Sequence, residues 1–175
     1  MRIEADAHAH VYPVHAPDDA FDAAVRRLPA PIRALWLTEA AGCGFFRALA
    51  CGQVPCSRWS GGVCPEDPSA VRMARRGDGA EVLVIAGRQI VARERVEILA
   101  WGRDAEVPDG LSAAETVEAV RAAWATPALA WAPGKWMFAR AAVVDALLRR
   151  FEPAILWLCD SSLRPPGWPE PAPMR

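Results

Sequence analysis

His8 and His10 stand two residues apart in Ala5-Asp6-Ala7-His8-Ala9-His10-Val11-Tyr12, and only His15 adds to them among the histidines of the chain. Residues 3–10 alternate in the manner of a strand. Ile3, Ala5, Ala7 and Ala9 take one face, and Glu4, Asp6, His8 and His10 take the other. The two imidazoles then point the same way, about 7 Å apart along the strand. Two neutral imidazoles on one face at a strand end can grip a single divalent metal. The same spacing also describes a polar strand end with two solvated histidines, because a bare His-x-His is not specific.

Other polar residues fall at the ends of expected strands. Glu39 follows Leu35-Trp36-Leu37-Thr38, and Asp160 follows Trp157-Leu158-Cys159. Asp160 read alone is equally a cap for the next turn. Lys135 follows the turn Pro133-Gly134, and Arg164 follows Asp160. Either cation could clamp an anionic group, and either reads equally as a solvated surface charge. Tyr12, the only tyrosine, could orient a substrate but reads first as a packing residue. Trp36, Trp101, Trp131 and Trp157 lie in expected strands and read mostly as core, while Trp131 and Trp136 flank the Pro-Gly turn where a pocket would open.

These residues need elements to hold them. A helix is expected from Pro17-Asp18-Asp19 to Leu28, with Asp18 as its cap and Phe21, Ala24, Val25 and Leu28 on one stripe. A buried strand follows at 32–38, then a short helix at 45–50. Residues 51–68, rich in Cys, Gly, Pro and Ser, read as an ordered excursion. Gly77-Asp78-Gly79 sits between strands at 71–75 and 81–85, a hairpin signal. Gly87 breaks that run. Residues 89–91 and 96–101 read as strands. Ser112 and Glu115 form a capping box for a helix reaching Ala125. A strand at 128–131, a helix at 141–151 and a strand at 154–159 complete the pattern. Alternating strands and helices at both ends of the chain predict an α/β fold with a mostly parallel sheet or barrel, whose sites lie at strand carboxyl ends.

The order of these motifs resembles the polymerase and histidinol phosphatase (PHP) family, relatives of the amidohydrolases, from Ile3 to Leu163. That family opens with Asp-x-His-x-His, here Asp6-Ala7-His8-Ala9-His10. Its later motifs correspond to Thr38-Glu39-Ala40, Gly87-Arg88-Gln89, Glu97 where the family has a histidine, Ala132-Pro133, and Cys159-Asp160-Ser161-Ser162. The resemblance implies a distorted, incomplete (β/α) barrel of the PHP type with a central β-hairpin insertion, built like a TIM barrel. It also implies a hydrolase-type domain acting on phosphoesters or related substrates. Ala40, Gln89, Ala132 and Ser162 replace strong ligands of the family, so the resemblance implies a degenerate site with at most one divalent metal. Zinc or manganese would be held by His8, His10, Glu39, Glu97 and Asp160, with Lys135 and Arg164 against an anionic substrate. Glu97 has a second reading as a buried carboxylate paired to Arg93 or Arg88. The alternative to the enzyme is a non-catalytic module that binds a ligand or acts as an interaction scaffold.

The bulk properties set the frame. A chain of 175 residues with 53% hydrophobic content is one domain, expected over 1–164, with the excursion and hairpin at 51–80 and a Pro-rich tail at 165–175. Twenty basic and 21 acidic side chains leave a net charge of −1, with no basic field to draw nucleic acid or an anionic membrane. No apolar run is long enough to span a bilayer. A cytoplasmic location is the default expectation, with a small anionic substrate or ligand as partner and a second copy covering an open barrel edge. Of the five cysteines, Cys51, Cys56 and Cys64 cluster, without the spacing of a Cys-x-x-Cys pair or a fourth ligand for zinc, and are expected as free thiols in a loop.

Overall fold

The computed structural model describes residues 2–12, 14–160, 167–171 and 174. The chain runs β1 (Ile3–Ala9), α1 (Pro17–Arg27), β2 (Ile32–Leu37), α2 (Phe45–Ala50), β3 (Trp59–Cys64), β4 (Asp67–Arg75) and β5 (Glu81–Ile85) through its first half. The second half contains β6 (Gly87–Val91), β7 (Glu97–Trp101), α3 (Ala113–Ala122), β8 (Thr126–Ala130), α4 (Ala139–Arg150) and β9 (Trp157–Cys159).

The expected barrel is not formed. The strands make two mixed sheets, one ordered β1-β2-β5-β4-β3 and the other β6-β7-β8-β9. Only β1–β2, β2–β5 and β8–β9 pair in parallel; β3–β4, β4–β5, β6–β7 and β7–β8 are antiparallel. The reason lies in the connections. A parallel neighbour needs a crossover of a dozen or more residues. Between β4 and β5 there are five residues, and between β6 and β7 there are also five. Those segments can only fold back, so the middle of the chain is a run of hairpins, not a ring of βα units. The excursion at 51–68 supplies β3, which the glycine-rich composition concealed.

The chain passes from the first sheet to the second at a close backbone join. Ala86 alone separates β5 from β6, and Glu39, just past β2, forms a parallel bridge with Arg88. Glu39 accepts a backbone bond from Gln89 and donates one to Gly87, at 2.9 and 3.3 Å. Gly87 is not a break in a strand but the first residue of one. A Cβ there would lie 2.2 Å from the Leu37 carbonyl oxygen and 2.9 Å from that of Ala100. Only glycine lets the backbones approach this closely.

Each sheet buries its own core. Phe21 and Ala24 of α1 and Phe46 and Leu49 of α2 pack on Leu37, Trp59, Val71, Val82 and Val84 of the first. Val117 and Val120 of α3 and Val144 and Leu147 of α4 pack on Ile90, Ile98 and Leu129 of the second. The helical stripes read from the sequence are these inward faces. The Ser112–Glu115 capping box forms as expected. Asp18 does not cap α1, whose N-cap is Ala16. Its carboxylate instead accepts from the N–H and hydroxyl of Ser57 and the N–H of Arg58, tying α1 to the segment leading into β3. Among the described residues, no helix is long and apolar enough to cross a membrane.

Candidate functional site: a cleft beside the first strand

β1 is an edge strand, and its outer side faces the ends of the second sheet. The Trp101 indole N–H donates to the Ala7 carbonyl at 2.9 Å, which fastens β1 to β7. Ala7 and Trp101 also pack on a small buried group of Leu99, Ala128, Ala130 and Cys159. The pleat is interrupted between Asp6 and Ala9, where the β1–β2 register shifts. Beyond this irregularity a cleft of about 730 Å³ opens.

The ends of several strands supply its walls. β1 and the residue after it contribute Asp6, His8 and His10; β6 contributes Gln89, and the start of β7 contributes Glu97. Trp131 and Lys135 follow β8, and Asp160 follows β9. β7 runs antiparallel to β8, so its beginning lies where the neighbouring strand ends. That geometry brings Glu97 to the same rim as Asp160.

His8, His10, Glu97, Lys135 and Asp160 thus share one cleft. Glu39 does not join them. Its side chain turns to α2, where Oε1 accepts from the Phe46 N–H at 3.1 Å, and the residue is 5% exposed. Burial pushes its carboxyl above the usual range, against the opposing pull of the Phe46 and Phe45 amides. Glu39 is therefore the hydrogen-bond anchor of a helix start and not a ligand of the cleft. Glu97 is paired, but with Lys135, not with Arg93 or Arg88. Arg164 lies outside the described residues.

The imidazoles form a wall of their own. The ring centroids of His8 and His10 are 5.0 Å apart, and His10 stacks on Tyr12 at 5.5 Å with the planes 5° from parallel. His8 Nε2 lies 3.1 Å from Gln89 Oε1. Because that oxygen only accepts, Nε2 carries the proton. Thr38 Oγ1 donates to the Ala9 carbonyl at 3.3 Å and lies 3.4 Å from His10 Nε2. With the hydroxyl proton on the Ala9 carbonyl, the partner of Thr38 is the Nε2–H tautomer of His10. Burial, with the positive charge tendency of His8 and then the Lys135 ammonium, holds His10 below its ordinary pKa, against the pull of Glu97 and Asp6. His10 is a neutral imidazole at neutral pH.

This arrangement is a poor fit to a bound metal. Glu97 is held by Lys135. Among the described residues, no three His, Cys, Asp or Glu side chains are grouped so as to hold an ion.

Sequence reasoning did not assign roles to Asp6, Gln89, Trp101 or Cys159 in this cleft. Asp6 was legible, since it shares the alternating face with His8 and His10. Gln89 is the partner of His8, which no local pattern signals across 81 positions. Cys159 closes the floor, its thiol pushed up to about 11 by burial and then by the Asp6 and Asp160 carboxylates. Comparison of the chain with protein-family models, curated proteins and solved structures finds no match. The functional reading therefore rests on the chemistry of the cleft.

Proposed function

We propose that this chain is a small-molecule-binding domain and that the cleft beside β1 is its binding site. The observation that carries the reading is the mixture of groups converging there. Asp6, Glu97 and Asp160 supply negative charge, Lys135 and Arg27 supply positive charge, and the neutral imidazole of His10, the His8 ring and the indoles of Trp101 and Trp131 lie between them. A volume of about 730 Å³ suits a small organic ligand. Charges of both signs in one cleft suit a ligand that carries both, with an ammonium toward Asp6 and Asp160 and a carboxylate or phosphate toward Lys135. The neutral imidazole of His10 supplies a donor and an acceptor that repel neither end.

A second reading, a one-metal hydrolase, draws on the 5.0 Å approach of His8 and His10. It requires an acidic group to join the two imidazoles, such as Glu97 released from Lys135.

One set of titrations separates these. Thermal unfolding is followed with a panel of amino acids, amino phosphates and simple anions, and separately with zinc and manganese. Under the first reading a zwitterionic compound raises the midpoint of the wild type and not of Lys135→Ala. Ligand at one hundred times its Kd adds about 2.7 kcal/mol of stability. Stabilisation by metal alone, lost in His8→Ala and accompanied by phosphoester or ester turnover, would establish the hydrolase instead. If no compound stabilises the wild type more than Lys135→Ala, the binding reading fails.

A further inference from the structure

Trp101 and Ala7 have a second open side. There, a groove of about 540 Å³ is lined by Trp36, Trp101, Trp124 and Trp157, with Asp67 and Arg103 at its rim. Half of the eight tryptophans of the chain meet in this one place. Strand placement suggested core positions for Trp36, Trp101 and Trp157; the first two are half-buried, and Trp124 was outside that expectation. Trp157 is 54% exposed and Trp124 88% exposed.

Burial does not explain Trp124. It follows α3 with φ +59°, in the left-handed region. Glycine is the usual residue at that position after a helix, and a residue with a Cβ is disfavoured by about 1 kcal/mol or more. The exposed indole stands there against the local backbone preference. Such unfavourable conformations cluster at ligand sites.

The ring geometry selects the ligand. The Trp36 and Trp101 rings are 6.3 Å apart and inclined at 45°, and those of Trp101 and Trp157 are 6.5 Å apart and inclined at 79°. Coplanar rings would form a platform for a nucleobase, usually alongside a basic groove. Inclined rings make a concave wall. Indole faces carry negative quadrupole density and attract a cation within about 6 Å of the ring centroid. The two cation–π contacts found among the described residues, Arg75 on Trp59 and Arg150 on Phe151, lie elsewhere. None of the described residues thus places a cation on the faces of this groove.

The rim supplies the matching charge. Asp67 accepts from the Ser69 N–H and hydroxyl at 2.9 and 2.6 Å, which keeps its carboxylate ionised. Arg103 lies 3.5 Å from it, and both side chains are about half exposed. Exposed pairs of this kind contribute about 0–1 kcal/mol and are readily exchanged for another cation.

We infer that the tryptophan groove binds a quaternary ammonium group of a small molecule, with the indole faces around the methyl groups and Asp67 as counter-ion. The ammonium is too large and too weakly hydrated to compete for an ordinary carboxylate site, which is where an aromatic wall discriminates.

The test uses choline as the probe and 3,3-dimethylbutanol as its neutral isostere of the same shape. The indole N–H resonances of the intact protein are followed by two-dimensional NMR. Choline should saturably shift the Trp101, Trp124 and Trp157 signals, and the isostere should bind at least about tenfold more weakly. Trp124→Gly suits the positive φ and keeps the fold, yet should weaken choline several-fold. Asp67→Asn should weaken it too. Arg103→Ala should leave it unchanged or strengthen it, because the guanidinium competes for Asp67. Equal affinity for the two probes would mean a merely apolar groove. No saturable shift at about 50 mM choline, or loss of binding on Arg103→Ala alone, would also overturn the assignment.

Discussion

Two groups of carboxylates in this molecule are arranged in opposite ways. At the junction of α1 and β3, Asp18 accepts from Ser57 and Arg58, and Asp22 accepts from the Trp59 indole and from Arg58 and Arg75. Burial pushes both carboxyls up, but the converging donors outweigh it and hold both below the ordinary range. In the cleft, among the described residues, Glu97 is held by Lys135, and each imidazole ring has one long or ordinary side-chain hydrogen bond through Nε2. A carboxylate saturated by donors from its own chain has its structural role filled. A group that faces a cavity with a single movable partner can exchange that partner for a ligand. The difference separates the scaffold from the site without any appeal to similarity.

The comparison breaks most visibly at the clamp. Asp18→Ala strands the Ser57 and Arg58 amides and should lower stability by about 3 kcal/mol, read as a fall in the urea midpoint at unchanged slope. A loss under about 1 kcal/mol would show that the clamp is not what holds β3 to α1.

Glu39 belongs with the scaffold. Glu39→Ala leaves the buried Phe46 N–H without an acceptor and should cost about 2 kcal/mol, while Glu39→Gln keeps an acceptor and should cost less. The folded-state pKa of Glu39 is raised, so its contribution is present below pH 4.5 and lost as pH rises through the folded value. Stability curves of the wild type and Glu39→Gln should therefore diverge above pH 4.5. Parallel curves would place the carboxyl in water.

On the cleft side, changes should move titration more than stability. Lys135→Met and Glu97→Gln should each cost under about 1 kcal/mol. They should shift the His10 titration in opposite directions, upward when the ammonium goes and downward when the carboxylate goes. Proton NMR of the imidazole ring reads this directly, and two shifts of the same sign would contradict the shared cleft. His10 itself has a depressed pKa. Its contribution is present above pH 6.5 and lost as pH falls through the folded value, a slope that His10→Asn should remove.

The smallest effect is kinetic. All five cysteines are free thiols. Alkylation at pH 8 should modify exposed Cys51 first and Cys159 last, since its thiol is pushed up to about 11. Mass spectrometry of peptides from a time course gives the order, and early labelling of Cys159 would mean that the cleft floor opens.

Several elements were determined by the sequence alone. The helix after Ser112 needs only its capping box and stripe, and the hairpin at Gly77-Asp78-Gly79 needs only its turn chemistry; both are local physics. The shared face of Asp6, His8 and His10 follows from the two-residue period of a strand. The tertiary structure decided the rest. Alternation of strands and helices at the two ends of the chain suggested a parallel barrel, but sheet order depends on which strands pair across long separations, and short connections forced hairpins in the middle. Glu39 and Asp160 read alike as strand-end acids, yet one turned inward to a helix start and the other reached the cleft, because a residue's neighbours across a sheet join are set by packing and not by its own flanks. The pairing of Glu97 with Lys135, 38 positions on, and of His8 with Gln89 are of the same kind. So is the tryptophan groove, whose four rings come from four separate segments and carry no common local pattern.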